Sequence, residues 1–477
     1  MNVGAIQDVG VLVPELILAG GGVLVLLVDA FFPRLGRVAT PLAVVATLAA
    51  AHLCFWGGPV GPSFHGLIDS TALTVGISLI VLTATLLALL ASHGYLERER
   101  LLGAEYQALL LWCATGLLLM ARATELITVF VALELLSVCL YSLAAYHRRF
   151  SVVTEAGVKY FLLGAFVSSF IVLGIALLYG ETGSTRLDVI GASPEIGSPL
   201  AVLGLLLLVA GFGFKMSVAP FHAWAPDTYQ GAPTPFVGFL SVAPKAASAL
   251  VLVRLLAVAY ETDPGRWSAV VGTLALLSMV VGNLLALVQR DIKRMLAYSG
   301  IAHMGYLLVA LTELGGPARE ALLVYLLAYT LMNAGAFAVI TLLYPAAGEQ
   351  HLISDLGGWG YRFPLLGLCL TVCMLSLGGI PPTLGFVGKY LVFIRALEAG
   401  SWGLAVAIVV TSLVGVFYYL RVVYTLYMRP EVRAADGLRP DPWGRSAAVL
   451  AALATLVLGL LPAQLLGWVY RVAQTGL

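Results

Sequence analysis

Four of the five lysines in this chain, Lys159, Lys215, Lys245 and Lys389, fall inside long apolar runs, and one carboxylate, Glu134, shares that setting. A charge held in hydrocarbon is costly, so such residues mark an ion or proton path unless they pair or reach the interface. Lysine suits proton relay because its ordinary pKa of about 10.4 falls on burial and is pushed back up by a nearby carboxylate. A swing of about three units is worth roughly 4 kcal/mol. Moving one charge through 100 mV takes about 2.3 kcal/mol, so the two are comparable. Arginine does not deprotonate in practice and cannot switch in this way. The fifth lysine, Lys293, stands beside Arg290 and Arg294 and reads as part of an ordinary basic loop.

Position separates these charges. Glu134 lies about ten residues from either end of its apolar run, roughly mid-membrane at 1.5 Å per residue, and a short carboxylate cannot reach water from there. Lys245 is similarly deep and follows Pro244, which loosens the backbone beside it. Lys159 is only about 10 Å into its run, so snorkelling competes with a buried role. Lys215 precedes Pro220 by five residues and Lys389 follows Pro382 by seven, each at the edge of an interrupted helix. His222 and His303 add imidazoles near pKa 6.5 that could pass protons onward or serve as hydrogen-bonded packing residues. Asp227 is placed to cap or pair locally near the inner face. His52, His65, His93, His147 and His351 fall nearer loops and helix ends.

The elements that must carry these residues follow from composition. Hydrophobic residues make up 60% of the chain and charged ones only 11%, with apolar runs of the length needed to cross a bilayer recurring throughout. This predicts an all-α, polytopic membrane protein. The first apolar run lacks a basic segment before it and a small-residue cleavage site, and reads as a retained helix. A net charge of +1 gives no basis for nucleic-acid binding. Cys54, Cys113, Cys139, Cys369 and Cys373 lack metal-ligand spacing and read as small buried hydrophobes. No Gly-rich phosphate loop follows a strand, and no cysteine framework could hold an iron–sulfur cluster.

About fourteen spans are predicted, near 13–32, 38–57, 69–93, 106–121, 124–146, 154–179, 199–229 (broken), 234–259, 267–288, 292–312, 319–343, 363–397 (broken), 402–428 and 446–470. With the N-terminus outside, the inner loops hold fourteen basic residues: Arg34, Arg37, Arg98, Arg100, Arg148, Arg149, Arg290, Lys293, Arg294, Arg362, Arg429, Arg433, Arg439 and Arg445. The outer side holds five, Arg122, Arg186, Arg266, Arg319 and Arg471. That bias predicts both termini outside and an even helix count. The seventh span is interrupted by Pro220 and Pro226, the twelfth by Gly378, Gly379, Pro381 and Pro382. Each proline removes a donor and frees carbonyls within the membrane. An offset of five spans turns one copy over relative to the other, so two inverted five-helix repeats are expected, with the site near the breaks. The predicted division is 1–104 (three helices), 105–260 and 261–430 (the repeats) and 431–477 (a last helix).

Three blocks now carry a family resemblance: KMSVAPFHAWAPDTYQGAPTPFVGFLS at 215–241, QRDIKRMLAYSGIAHMGY at 289–306 and LGGIPPTLGFVGKYLV at 377–392. They resemble the antiporter-like membrane subunits of respiratory complex I (NADH:quinone oxidoreductase) and of multisubunit cation/proton antiporters, over roughly residues 105–430. The VPELILAGGGVLVLLVDAFF opening, the PDTYQGAP wording and a lysine at 389 are similar to the subunit N branch, the mitochondrial subunit 2 type. The resemblance implies that Glu134 modulates Lys215, that Lys159 and Lys245 continue a central polar axis, and that Lys389 leads to the outer side. His222 and His303 match histidines near the two breaks. The second half has no counterpart of Glu134 or Lys159. The resemblance also implies a proton-translocating subunit in the bacterial inner (plasma) membrane, among other membrane subunits and lipid. It would carry no cofactor of its own, with NADH, FMN, iron–sulfur clusters and quinone in partner subunits. A cation/proton antiporter, or a related complex fed by ferredoxin or another donor, is the alternative that the same blocks allow.

Overall fold

In hydrocarbon a backbone must satisfy its polar groups internally, and apolar runs of about twenty residues therefore close into helices. The structure, a computed structural model, describes residues 9–32, 38–57, 61–101, 103–344, 351–431 and 440–474 and is built almost wholly this way. Ten of its helical stretches are long and apolar enough to cross a membrane by length and composition, among them Val13–Phe31, Ala72–Arg98, Ser151–Thr182, Pro264–Leu287 and Trp402–Met428. The one exception to the all-α pattern among the described residues is a short antiparallel hairpin, Gly61–Ser63 with Ile68–Ser70. Arg34, Arg37, Arg433 and Arg439, used above for orientation, lie outside the described residues.

Gly316–Leu343 is the buried axis of the bundle, packed by Ala72–Arg98, Pro364–Gly378, Leu384–Glu398 and Pro442–Leu460. Its mid-section carries Tyr325, Tyr329 and Asn333, all buried. The sequence divides less simply than expected at three points. The last span is two helices, Pro442–Leu460 and Pro462–Gln474, because Pro462 cannot continue the first. The second of these continues along Gly316–Leu343, packing through Leu465, Val469 and Val472. The eighth span is also broken, into Thr234–Leu240 and Ala243–Tyr260, with Asn333 Nδ2 donating to Ser241 Oγ at 2.6 Å in the gap. Lys293 is not in a basic loop: it lies in Ile292–Val309, 2% exposed, and donates to the Ala232 carbonyl at 2.7 Å.

Both expected breaks share one geometry. Pro199–Lys215 ends at Ser217 (φ 60°), with Val218 N–H bonded to Gly213 O and Ser217 N–H to Phe214 O. Pro364–Gly378 ends at Gly379 (φ 77°), with Ile380 N–H bonded to Leu375 O and Gly379 N–H to Ser376 O. Each is a Schellman cap, in which a left-handed residue turns the chain and two crossed bonds absorb the last carbonyls. Ser217 and Gly379 stand 162 positions apart. The same offset carries Glu105–Arg122, Leu126–Ala144, Ser151–Thr182 and Ala243–Tyr260 onto Pro264–Leu287, Ile292–Val309, Gly316–Leu343 and Trp402–Met428 within a few residues.

The first helix is locked to this core by one buried ion pair. Glu15 Oε1 lies 2.9 Å from Arg122 Nε, each side chain 3% exposed, and Arg122 also donates to the Val11 carbonyl. Removing one member leaves an uncompensated buried charge. Arg122→Ala is expected to lower stability by about 3 kcal/mol, read as a drop in thermal midpoint in detergent. Glu15→Ala in the same chain should restore part of the loss, and a midpoint unchanged by Arg122→Ala would show that the pair does not hold the first helix.

Candidate functional site

The intramembrane charges sit in three polar clusters that aromatic side chains join into one file. In the first, Lys215 is 2% exposed, at the last turn of Pro199–Lys215, and donates to Ser137 Oγ at 2.8 Å. Ser137 lies one helical turn beyond Glu134, whose half-buried carboxylate accepts from Ser168 Oγ at 2.7 Å. Lys215 thus reaches the helix that carries Glu134 through Ser137, without a direct ion pair to the carboxylate among the described residues. The Tyr141 ring lies 5.6 Å from the Lys215 ammonium, within cation–π range.

The second cluster surrounds Lys245, which the break at Ser241–Val242 delivers into the bundle at 1% exposure. Its ammonium lies between the rings of Tyr229 and Tyr329, 5.8 and 5.7 Å from their centres. Lys245 Nζ, Tyr229 OH, Tyr329 OH and Ser248 Oγ are buried and have no hydrogen-bond partner among the described residues. Buried polar groups are nearly always satisfied, and a group of them converging without protein partners marks a place for ordered water.

The third cluster spans the second half. His303 Nδ1 is 2.7 Å from Tyr325 OH and its Nε2 is 3.1 Å from Tyr419 OH, which also bonds Ser299. Lys389 donates to the Leu377 and Gly378 carbonyls at 2.9 and 3.2 Å and to Ser412 Oγ at 2.9 Å. Those carbonyls end the Pro364–Gly378 helix, so the ammonium neutralises the negative end of a helix stopped inside the bundle. Its charge also lies 5.1 Å from the Tyr306 ring.

Ring contacts link the clusters. From Tyr141 the file runs through Tyr160, Trp224 and Tyr229 at centroid separations of 5.0, 4.6 and 6.2 Å, reaching Lys245. From Tyr329 it continues to His303 at 5.2 Å and Tyr306 at 5.7 Å, reaching Lys389. These tyrosines were not singled out from the sequence. The available signal was a phenol repeated inside apolar helices, since a buried Tyr needs a partner for its hydroxyl in a way that Phe does not.

Two expected members stand apart from the file. Lys159 is not on the buried axis: its side chain is 45% exposed on the flank, with Nζ 2.8 Å from Glu155 and 3.0 Å from Asp227. Asp227 also pairs with Arg294 at 2.6 Å, so the local pairing expected for it is present. His222 lies in the first break, half-buried, and its Nδ1 has no hydrogen-bond partner among the described residues. All five cysteines are free and buried. Among the described residues no group of three or more His, Cys, Asp or Glu side chains gathers as a metal site.

Known proteins share this fold. Residues 123–415 match the family described as NADH:quinone oxidoreductase/Mrp antiporter, transmembrane. NADH-quinone oxidoreductase subunit N of Trichlorobacter lovleyi is 40% identical over 466 residues, covering 96% of this chain and 96% of that protein. A chain of respiratory complex I from Thermus thermophilus superposes with a TM-score of 0.83 at 38% identity, covering 95% of this chain and 98% of that one. A chain of the Mrp complex from Dietzia, at 21% identity and a TM-score of 0.82, shares the fold over 99% of this chain and 97% of that one.

Lys245 is held by ring faces and by no hydrogen-bond acceptor among the described residues. Lys245→Met is therefore expected to leave the thermal midpoint unchanged or raise it, as replacing a buried charge by an apolar side chain of similar length often does. A large drop in the midpoint would assign Lys245 to holding the fold.

Proposed function

The chain belongs to the NADH:quinone oxidoreductase/Mrp antiporter membrane family, and we propose that its buried file is the route by which this multi-pass subunit translocates protons in an NADH:quinone oxidoreductase. The observation that carries the reading is the continuity of Lys215, Lys245, His303 and Lys389 through buried aromatic and hydroxyl groups. Between them the ionisable groups are separated by phenols, a tryptophan and serines. Such a path passes protons when hydrated and stops them when dry, without admitting a larger ion.

Glu134 is the modulator in this reading. It stands one helical turn before Ser137, which accepts from Lys215, and the field of its carboxylate favours the charged lysine. A shift of that carboxylate, or its protonation, releases the Lys215 proton toward Lys245. Lys245, lacking an acceptor, passes it on through water toward His303, and Lys389 forms the end of the file. Lys159, paired with Asp227 and Glu155 beside Arg294, belongs to the inner-side charge group and not to the central transfer steps. His222, in the first break, is assigned to the approach to Lys215.

The common offset of 162 positions supports reading residues 105–260 and 261–430 as two copies of one five-helix unit, preceded by a three-helix segment and followed by the C-terminal helices. Both termini are placed on the outer side of the bacterial inner membrane, supported by the excess of basic residues in the loops assigned to the inner side. Electron transfer is assigned to partner subunits holding NADH, FMN, iron–sulfur clusters and quinone. The contribution of this chain to the enzyme is translocation coupled to that distant chemistry.

Lys215→Ala and Glu134→Ala are expected to lower proton pumping and coupled quinone reductase activity several-fold in an intact, assembled complex. Lys215→Arg and Lys389→Arg should fail to restore pumping, because a guanidinium holds its proton. Proteoliposomes with a pH-sensitive dye measure both, and full pumping in the arginine variants would reduce these lysines to fixed charges.

A further inference from the structure

The three helices that carry His303, Tyr325 and Lys389 converge at the face of the bundle opposite the Asp227–Arg294 pair. Ile292–Val309 ends there, Gly316–Leu343 begins there and Leu384–Glu398 ends there. Between their ends lies a cavity of about 120 Å³ whose polar lining is Thr312, Glu313, Arg395 and Glu398. Val309 is six residues beyond His303, Ala318 seven before Tyr325 and Arg395 six beyond Lys389. At 1.5 Å per residue, all three members of the buried cluster thus lie roughly 9–10 Å below the cavity. That space is enough for several waters.

Two carboxylates, Glu313 and Glu398, line this opening, and a third stands beside it. Glu320, its side chain 18% exposed, lies 3.9 Å from Arg395 Nη2, and Arg395 also pairs with Glu398. Arg395 Nε and Arg319 Nη1 are buried without a hydrogen-bond partner among the described residues. Arg395, which lines the cavity, ties the end of Leu384–Glu398 to the start of Gly316–Leu343 through Glu320. The bland reading is a rim ion pair, which would contribute little to stability or transport. Against it stands the position of this pair, which joins the end of the helix that carries Lys389 to the start of the helix that carries Tyr325.

We propose that this cavity is the outer port of the proton file, and that Glu320, positioned by Arg395, takes the proton arriving from Lys389 and releases it to external water. The step balances as one proton: the N–H bond of the Lys389 ammonium breaks, a carboxyl O–H forms on Glu320 by way of intervening water, and that bond then breaks toward bulk water. Arg395 draws the carboxylate back to its charged state and so resets it. The inference rests on the translocation reading above and adds the group that ends the path.

The test uses the whole complex in proteoliposomes. Glu320→Gln is expected to reduce proton release several-fold, Glu320→Asp to keep most of it, and Arg395→Lys to keep more than Arg395→Leu. A rim pair with only a structural role would show no such ranking, and equal pumping in all four variants overturns the port. Lys389→Ala, measured alongside, separates the two claims: full pumping there overturns the translocation reading itself. Loss there with normal Glu320→Gln overturns only the port. If Glu320→Gln does not assemble, Ala318→Cys on the cavity wall reads access directly. A small membrane-impermeant methanethiosulfonate added from outside should modify it, and a thiol that stays unmodified in the assembled complex overturns the proposal.

Discussion

A helix that stops inside hydrocarbon leaves carbonyls that nothing but the protein can satisfy, and most of the buried basic residues of this chain answer that constraint. Lys389 meets the Leu377 and Gly378 carbonyls, and Lys293 meets Ala232 just past the Trp224–Gly231 half-helix. Arg254 meets Ala123, and the partly buried Arg421 meets Leu287 and Gln289. Each cation rests on the negative end of a helix, which offsets the cost of its own burial. Two lysines depart from the pattern. Lys215 has only a serine hydroxyl, and Lys245 has no acceptor among the described residues. A charge with fewer fixed partners is easier to neutralise, so the two lysines least bound by the backbone are the two best suited to change state.

The 162-position offset shows how one scaffold was given two chemistries. It carries Ser137 onto Ser299 and Tyr141 onto His303, so a hydroxyl and a ring occur at the same places in both halves. At the breaks the offset carries Asp227 onto Lys389: the half-helix after the first break holds an acid, and that after the second a base. The acid pairs outward with Arg294 and Lys159, while the base turns inward onto the carbonyls of its own break. Equivalent backbones therefore place opposite charges at opposite faces. Inverted repeats that are alike in fold and unlike in function require an asymmetry of this kind.

Much of this was legible in the residues. Span positions followed from hydropathy, the two breaks from Pro220 and Pro382, and the buried lysines from their apolar neighbours, since each of these signals is local. What escaped depended on contacts across the bundle. Lys159 and Lys245 look alike in sequence, yet one finds Glu155 and Asp227 on the flank and the other is enclosed by Tyr229 and Tyr329. Lys293 sat among arginines and read as a loop, because nothing local reveals that the Ala232 carbonyl sixty residues away needs a donor. The third break, at Ser241, had only Pro244 to announce it, and the Asn333 side chain that fills it comes from another helix. The tyrosines were counted as apolar bulk, although their hydroxyls complete the file.

The spacing of the file sets how it can work. Direct proton transfer needs heavy atoms within about 3.2 Å or one bridging water, and the contacts of Lys245 and Lys389 with their tyrosines are to ring faces and not hydrogen bonds to the hydroxyls. His303 with Tyr325 and Tyr419 is already within that reach, whereas Lys245 Nζ has no hydrogen-bond partner among the described residues. On the proposed route, control would therefore lie at Lys245. An uncharged lysine between two phenols holds water weakly and an ammonium holds it strongly, so loading the site would itself draw in the water that unloads it. The conducting state would then last only as long as the charge does, which prevents the bundle from becoming an open leak between its two faces.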